Sequence, residues 1–114
     1  MKNLVLFALT SILFFGSCDK DDLPGDLPSC VKSKVEDFQS DQKNCDNASV
    51  IEYEFQGQTV YVLSQGNCIS DGGATVINSA CEDVCFLGGI AGITDCNGEE
   101  FHTVATQTQV IWQN

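Results

Sequence analysis

The sequence has no arginine, a single tryptophan and only five lysines, against 16 aspartates and glutamates. Its net charge is therefore −11 at pH 7. Proteins that bind nucleic acid need a cationic surface to replace the counterions on phosphate, so this charge excludes nucleic acid as a partner. Anionic lipid headgroups would repel the chain for the same reason. The charge itself favours solubility at a crowded surface.

Residues typical of catalytic sites are also scarce. His102 is the only histidine, and no G-x-S-x-G motif occurs after residue 17. Because a serine-type triad needs a positioned base, a histidine without that motif is more simply a surface or core residue. We therefore expect a protein that is not an enzyme and that needs no cofactor.

The N-terminal segment has the features of an export signal. Lys2 is followed by a mostly apolar run of 12 residues from Leu4 to Phe15, and then by Gly16, Ser17 and Cys18. The run is too short for a membrane span, which needs about 18 apolar residues. An apolar segment that ends in small residues and a cysteine resembles the lipobox of bacterial lipoproteins. The resemblance implies that residues 1–17 are a signal peptide and that Cys18 carries lipid; an ordinary secretory signal is the alternative.

Residues 18–28 follow as a lipidated cysteine and an acidic tether. The stretch from residue 19 to residue 28 holds both prolines, four aspartates and a glycine, and it has too little apolar surface to fold. Cys18 with Lys20, Asp21 and Asp22 forms Cys-x-Lys-Asp-Asp, which looks like the signal that exports Bacteroidota lipoproteins to the cell surface. The resemblance implies a protein anchored in the outer membrane by lipid, exposed on the surface; the periplasmic face is the alternative.

Residues 29–114 remain as one small domain of 86 residues. A domain of this size buries only about 60 to 65% of its unfolded surface, so its core alone gives modest stability. It contains six cysteines, and an even number in an exported chain indicates disulfides. The six are Cys30, Cys45, Cys68, Cys81, Cys85 and Cys96. The sequence cannot choose among their pairings, and sequential pairing is our hypothesis.

A zinc cluster is the competing use of these thiols. Cys-x-x-Cys spacing is absent, and an oxidising compartment favours disulfides over a zinc site. We therefore expect no metal at the cysteines.

Two local patterns predict the fold class. Val31, Val35 and Phe38 lie on one face of a helix that Ser29 can cap, and polar residues 39–47 end that helix. Residues 49–64 predict a β-hairpin around a turn at positions 56 and 57. In this register one face carries Ile51, Tyr53, Phe55, Val60 and Val62, which we take as the core. The opposite face carries Glu52, Glu54, Thr59, Tyr61 and Leu63.

The rest of the chain predicts further short strands at residues 74–78, 84–87 and 106–112. The sequences 71–73 and 97–98 predict turns that tolerate positive φ. Residues 99–105 fit either a strand or one helical turn. One N-terminal helix packed on a small, mostly antiparallel sheet and stapled by disulfides makes an α+β domain.

Several of these segments together resemble a known family. Residues 53–61 (YEFQGQTVY), Cys68, Cys81, residues 86–92 (FLGGIAG) and the terminal pair Ile111 and Trp112 look like a family of small uncharacterised Bacteroidota lipoproteins. The resemblance covers most of the chain from Cys30 onward. It implies the fold and the location but no catalytic residue. Cys85 and Cys96 depart from many members, which suggests that they pair with each other.

A few residue groups are candidates for binding. Asp95, Asn97 and Glu99, with Glu100 beside them, carry oxygen ligands suited to Ca²⁺, although their spacing breaks the EF-hand pattern. Glu52 and Glu54 lie about 6.6 Å apart along a strand, near the separation of glycosidase carboxylates, but a hairpin alone gives no cleft.

The glycine-rich and aromatic segments have simpler interpretations. Residues 88–92 lack the spacing of a phosphate loop and predict a turn. Trp112 and Tyr61 can stack on sugar rings, but aromatic residues on strands usually belong to the core.

These observations predict a lipid-anchored cell-envelope protein that acts as a non-catalytic binding or structural module. A glycan and a neighbouring envelope protein are the partners that the sequence leaves open. The alternatives are a small disulfide-rich inhibitor, with the loop from Cys85 to Cys96 as its bait, and a calcium-dependent binding domain. A hydrolase is a further alternative, and it requires a pocket that joins His102 to a carboxylate.

Overall fold

The computed structural model describes residues 23–69 and 72–114. The signal peptide, Cys18, Lys20, Asp21 and Asp22 lie outside these residues, so their assignments stay predictions. Within the described ranges, no helix combines the length and the apolar character that crossing a membrane requires.

The described chain contains two helices and seven strands. In order these are α1 (Ser29–Gln42), β1 (Ser49–Phe55), β2 (Gln58–Ser64), β3 (Gly73–Asn78), β4 (Asp83–Gly88), β5 (Asp95–Cys96), β6 (Glu99–Glu100), α2 (Phe101–Val104) and β7 (Thr106–Gln113). Five of the strands form an antiparallel sheet in the order β4-β3-β2-β1-β7, and β5 pairs with β6. The predicted α+β class is confirmed, as are the strands at residues 74–78, 84–87 and 106–112.

The β1–β2 hairpin has the predicted register. Phe55 lies opposite Gln58, and Tyr53 lies opposite Val60. Gln56 and Gly57 form the turn with φ of 50° and 76°, a left-handed conformation that fits the right-handed twist of the two strands. The alternation of side chains therefore divides the hairpin into two faces, as the sequence predicts.

The choice of a single core face was incomplete, because both faces of the sheet are covered. Helix α1 packs against the face that we took as the polar one, where Tyr61 is 3% exposed and Leu63 is 7% exposed. The predicted core face packs instead against β5 and α2, through Cys96 and Phe101. The domain thus has three layers, with the five-stranded sheet between α1 and the segment from β5 to α2.

Helix α1 begins and ends differently from the prediction. Pro28 is the residue before the helix, and Ser29 is its first residue and makes no capping hydrogen bond. The Pro28 carbonyl accepts the first helical bond from the Lys32 amide at 2.9 Å, so Pro28 occupies the N-cap position, where its side chain cannot accept a capping hydrogen bond. The helix continues to Gln42 because Gln39 and Gln42 extend its buried stripe.

The three disulfides join Cys30 to Cys81, Cys45 to Cys68 and Cys85 to Cys96. The sequential hypothesis is therefore wrong for the first two pairs and confirmed for the third. The Cα separations of 5.3 to 6.1 Å are within the usual range. Cys30 lies in the first turn of α1 and Cys45 lies just beyond its end, so two disulfides fasten the helix to the sheet at both ends.

The segment from residue 99 to residue 105 combines the two structures between which the sequence did not decide. Glu99 and Glu100 form β6, and the next four residues form the helical turn α2. The turn at Asn97 and Gly98 has positive φ, as predicted, with values of 50° and 84°. Gly73, in contrast, has no positive φ; its lack of a side chain serves the close approach of Phe86 and of the Leu87 carbonyl oxygen.

Candidate functional site

A shallow cleft of about 270 Å³ lies on the sheet face that points away from α1. Its floor is apolar and includes Val62, Ala74, Leu87 and Phe101. Four neutral polar residues from three parts of the chain also line it. These are Tyr53, Ser64, Gln65 and His102. We call this feature the His102 cleft.

The short helix α2 forms one wall of the His102 cleft. Its first residue, Phe101, is fully buried, with its ring centroid 5.1 Å from that of Tyr53 and 5.0 Å from that of Phe55. Edge-to-face and tilted aromatic pairs of this kind contribute about 0.5 to 1.5 kcal/mol each beyond the burial of their area. Because Phe101 is fixed, the neighbouring His102 is held at the rim of the cleft, with its ring 5.7 Å from that of Phe101.

The opposite wall is built where β2 ends and β3 begins. The Gly73 amide donates a hydrogen bond to Oε1 of Gln65 at 3.3 Å, and the Gln65 amide donates to the Gly73 carbonyl at 3.1 Å. A Cβ on Gly73 would lie 2.6 Å from the Leu87 carbonyl oxygen, so only glycine fits at this position. The glycine thereby allows β3 and β4 to approach each other closely at this wall of the cleft.

The described residues that line the His102 cleft carry no carboxylate and no lysine. Within that part of the chain, His102 makes no side-chain hydrogen bond, with Ser64 or with any other residue. A nucleophile, a base and an orienting acid are therefore not assembled among these residues, as acyl transfer by a triad requires. The arrangement offers an apolar surface surrounded by hydrogen-bonding groups, which is the pattern of a binding site.

A second notable feature is the loop after β4. The Gly88 amide donates to the Ile93 carbonyl at 2.7 Å, and the Ile93 amide donates to the Gly88 carbonyl at 3.2 Å. Gly88, Gly89 and Gly92 all have positive φ. The predicted turn at residues 88–92 is thus confirmed, and it presents Ile90, a residue that is 88% exposed, at its tip.

A second cleft, of about 280 Å³, lies between α1 and the sheet. It is lined by charges of both signs, Lys34 with Asp37 and Asp41, next to the rings of Phe38 and Phe86. The three charged groups are exposed side chains of α1, whereas Phe86 belongs to β4, and nothing in their arrangement selects one ligand.

The structure does not bring the calcium candidates together. Asp95 pairs with Glu100 across the small sheet, while Glu99 pairs with Cys96, so Asp95 and Glu99 project to opposite faces. The Glu99 carboxylate accepts a hydrogen bond from the side-chain Nε2 of Gln56 at 2.9 Å. No group of three or more His, Cys, Asp or Glu side chains in the described ranges has a geometry that could hold a metal ion.

Glu52 and Glu54 do not form a catalytic pair. The Glu52 carboxylate accepts hydrogen bonds from Thr108 at 2.7 Å and from Gln109 at 3.1 Å, which ties β1 to β7. The Glu54 carboxylate accepts a bond from Thr59 at 2.9 Å. Neither glutamate lines either of the two clefts, so both serve as cross-strand contacts.

The two aromatic residues considered as a sugar platform are in the core. Trp112 is 7% exposed and stacks edge-on against Phe38, and Tyr61 is 3% exposed. Burial raises the pKa of Tyr61 above its ordinary value of 10.0, the charge of Glu52 adds to the rise, and a hydrogen bond with Ser79 opposes it. The interpretation of Trp112 and Tyr61 as core residues is therefore confirmed, and the two rings form no surface platform for a sugar.

Sequence reasoning missed the His102 cleft as a whole. The register of the hairpin places Tyr53 and Val62 on one face, and that signal was available. It did not show that Phe101 would pack against the same face, because the position of α2 depends on contacts between residues far apart in the chain.

In a comparison with protein families, a model described as a domain of unknown function (DUF6970) matches residues 36–114. That range covers more than half of the chain and includes the whole sheet and α2. No curated protein matches the chain significantly. No solved structure matches it significantly either.

Proposed function

The chain belongs to the DUF6970 family, whose function is unknown, and we propose that it is a lipid-anchored protein of the cell envelope that binds a ligand and does not catalyse. In this proposal Cys18 carries the lipid and residues 19–28 are the tether to an outer membrane. The end of the tether is part of the folded domain, because Leu23 and Leu27 pack against the core beside α1. Lys20, Asp21 and Asp22 direct the protein to the cell surface.

Three disulfides in so small a domain support export. Disulfides persist in oxidising compartments and are rare in the cytosol, and small exported domains use them to supplement a limited core. All six cysteines after residue 29 are paired. Cys18 is therefore the one cysteine left for another chemistry, which fits a lipid attachment site.

The observation that carries the binding function is the composition of the His102 cleft. It gathers neutral hydrogen-bonding groups over an apolar floor and places no carboxylate beside His102 among the described residues. The hydrolase alternative requires such a carboxylate, so the cleft favours recognition over catalysis. The calcium-dependent alternative is not proposed, since Asp95 and Glu99 project apart.

Lipid attachment is tested by metabolic labelling of growing cells with a clickable palmitate analogue. The natural chain should take up label, and Cys18→Ser should take up none. Ser17→Ala serves as the matched control, because it changes the neighbouring position and keeps the thiol. Label on Cys18→Ser, or none on the natural chain, would overturn the anchor.

Surface display is tested by adding protease to intact cells. The natural protein should be digested, and a variant with Lys20, Asp21 and Asp22 all changed to Ala should be protected. Asp26→Ala is the control for loss of one tether charge outside the motif. If the natural protein resists while an intact envelope protects a periplasmic marker, the protein faces the periplasm.

One observation favours a second function, that of an inhibitor that uses the loop between Cys85 and Cys96. Ile90 is 88% exposed at the tip of a loop that a disulfide and two backbone bonds hold in place. A protease with a small apolar specificity pocket is the expected target. Pancreatic elastase supplies the assay: inhibition that Ile90→Asp abolishes would support this function, and unchanged elastase activity would exclude this target.

A further inference from the structure

We propose that the His102 cleft binds a neutral six-membered sugar ring. The proposal deepens the binding function given above and rests on it, because it names the class of ligand for the same cleft. It is carried by three properties of the lining: an apolar floor, a rim of hydrogen-bonding groups, and the lack of a carboxylate or lysine among the lining residues that the structure describes.

The floor suits the apolar face of a pyranose. Val62, Ala74 and Leu87 are buried side chains of three neighbouring strands, and Phe101 adds an aromatic ring beside them. A pyranose exposes C–H groups on its faces and hydroxyl groups around its edge. Because the four floor residues are each at most 9% exposed, this contact would mainly remove apolar area of the sugar from water, and the half-buried Ile51 beside them supplies further apolar contact from the protein.

The rim suits the hydroxyl groups of the sugar edge. Tyr53 and Ser64 provide hydroxyl groups that both donate and accept, and His102 provides a ring nitrogen of each kind when neutral. The Gln65 side chain uses its oxygen on the Gly73 amide, so its nitrogen remains a donor. Groups of mixed donor and acceptor character match hydroxyl groups, which also do both.

Charge decides between a neutral sugar and its charged relatives. The chain carries −11, and no lysine lines the cleft within the described residues, so an anionic ligand would meet repulsion without a paired cation. A cationic ligand would find no carboxylate among the described lining residues. A neutral ligand is not repelled by the net charge and needs no oppositely charged side chain as a partner.

Size limits the ligand to about one ring. Pockets for drug-sized molecules usually measure about 300 to 1,000 Å³, and the His102 cleft at about 270 Å³ lies just below that range. An open, shallow site of this size predicts weak binding, with a dissociation constant of about 1 mM or higher for a single sugar. Tighter binding would then need a second sugar unit or several copies on a surface.

The test is a titration monitored by backbone amide NMR, using the mature chain (residues 18–114) with Cys18→Ser. The probes are the methyl glycosides of glucose, galactose and mannose, with glucuronic acid and glucosamine as charged comparators. At least one neutral glycoside should shift the amides of Gly72, Gly73 and His102, and do so at lower concentration than either charged sugar. No shift with any of the three would overturn the proposal.

Two variants of α2 distinguish sugar binding in the His102 cleft from nonspecific effects of the sugar on the protein. His102→Ala should weaken binding roughly fivefold, the effect of one lost hydrogen bond. Thr103→Ala is the matched control, since it changes the next exposed residue of the same helical turn and should bind like the natural chain. Equal binding by both variants would place the sugar elsewhere and overturn the proposal.

The remaining outcomes are also decisive. If the cleft amides shift with protein concentration and no sugar, a second copy fills the cleft, for instance through Ile90, and the sugar proposal is wrong. If glucuronic acid binds more tightly than the neutral glycosides, the ligand is not a neutral sugar, although the His102 cleft remains its binding site. If Cys18 takes up the palmitate label and none of the sugars binds, the sugar proposal is wrong. The proposal of a lipid-anchored protein is then still supported.

Discussion

The disulfide between Cys30 and Cys81 should contribute more to stability than either of the others. It closes a loop with a sequence separation of 51, compared with 23 for Cys45–Cys68 and 11 for Cys85–Cys96. In the chain-entropy model these lengths correspond to about 4.1, 3.4 and 2.8 kcal/mol at 25 °C. Sequential pairing would instead give separations of 15, 13 and 11, and nearly equal contributions of about 3 kcal/mol each.

Because this cysteine pair lies near the surface, the loss of stability on its removal can be estimated from chain entropy alone. Cys30 is exposed and Cys81 is partly exposed, so changing both to Ala removes little packing and leaves the entropy of the unfolded chain as the main effect. Cys96, in contrast, is fully buried, and its replacement adds the cost of a cavity. Small domains have about 5 to 15 kcal/mol of stability in all, so losing about 4 kcal/mol should leave a folded but weakened protein.

The assay is urea unfolding of the mature chain with Cys18→Ser, compared with the same chain carrying Cys30→Ala and Cys81→Ala. A thiol assay of the denatured variant provides the control. If Cys30 pairs with Cys81, the variant contains no free thiol; if pairing is sequential, it exposes two, from Cys45 and Cys68. Two free thiols, or a loss of stability below about 2 kcal/mol, would refute the reasoning.

Three further changes test the packing and the ionisation of the core. Gly73→Ala should destabilise by about 1 to 3 kcal/mol because a Cβ there meets strand β4, whereas Gly25→Ala, with open space around it, should change little. Gln39→Met should stabilise the domain by about 1 kcal/mol or more, since the buried Gln39 Nε2 has no hydrogen-bond partner within the described structure. Gln42→Met is the matched control and should destabilise, because Gln42 accepts a hydrogen bond from the Gly66 amide at 3.0 Å. A raised pKa of Tyr61 means that the unfolded state loses its proton first, so the free energy of unfolding should fall as pH rises above about 10. Tyr61→Phe should remove part of that fall, and identical pH profiles of the two proteins would contradict it.

The local elements of the fold could be predicted from the sequence because their signals are local. Alternation of apolar and polar residues on either side of Gln56 and Gly57 determines both strands of the hairpin and their register. Val31 and Val35, one helical turn apart, likewise predict that α1 is a helix with one buried face. In each case the residues that interact are near one another in the chain.

The site could be predicted only in part. The sequence showed that no catalytic motif is present and that His102 stands alone. It could not show that Ser64, Gln65 and His102 lie around one cleft, because they are brought together by the packing of α2 through Phe101. The same limit explains why the sequence pattern does not predict the burial of Tyr61 and Leu63, which share a face of the hairpin with Glu52 and Glu54.

The sequence by itself determined the α+β class, the hairpin register, the turns at residues 56–57, 88–92 and 97–98, and the residues that can form disulfides. Tertiary structure decided which sheet face α1 covers, how Cys30 and Cys45 pair, and where the cleft forms. Strand periodicity distinguishes two faces but does not rank them when both carry apolar residues. Disulfide pairing depends on distances between elements, and Cys30 meets Cys81 only after the helix has packed on the sheet.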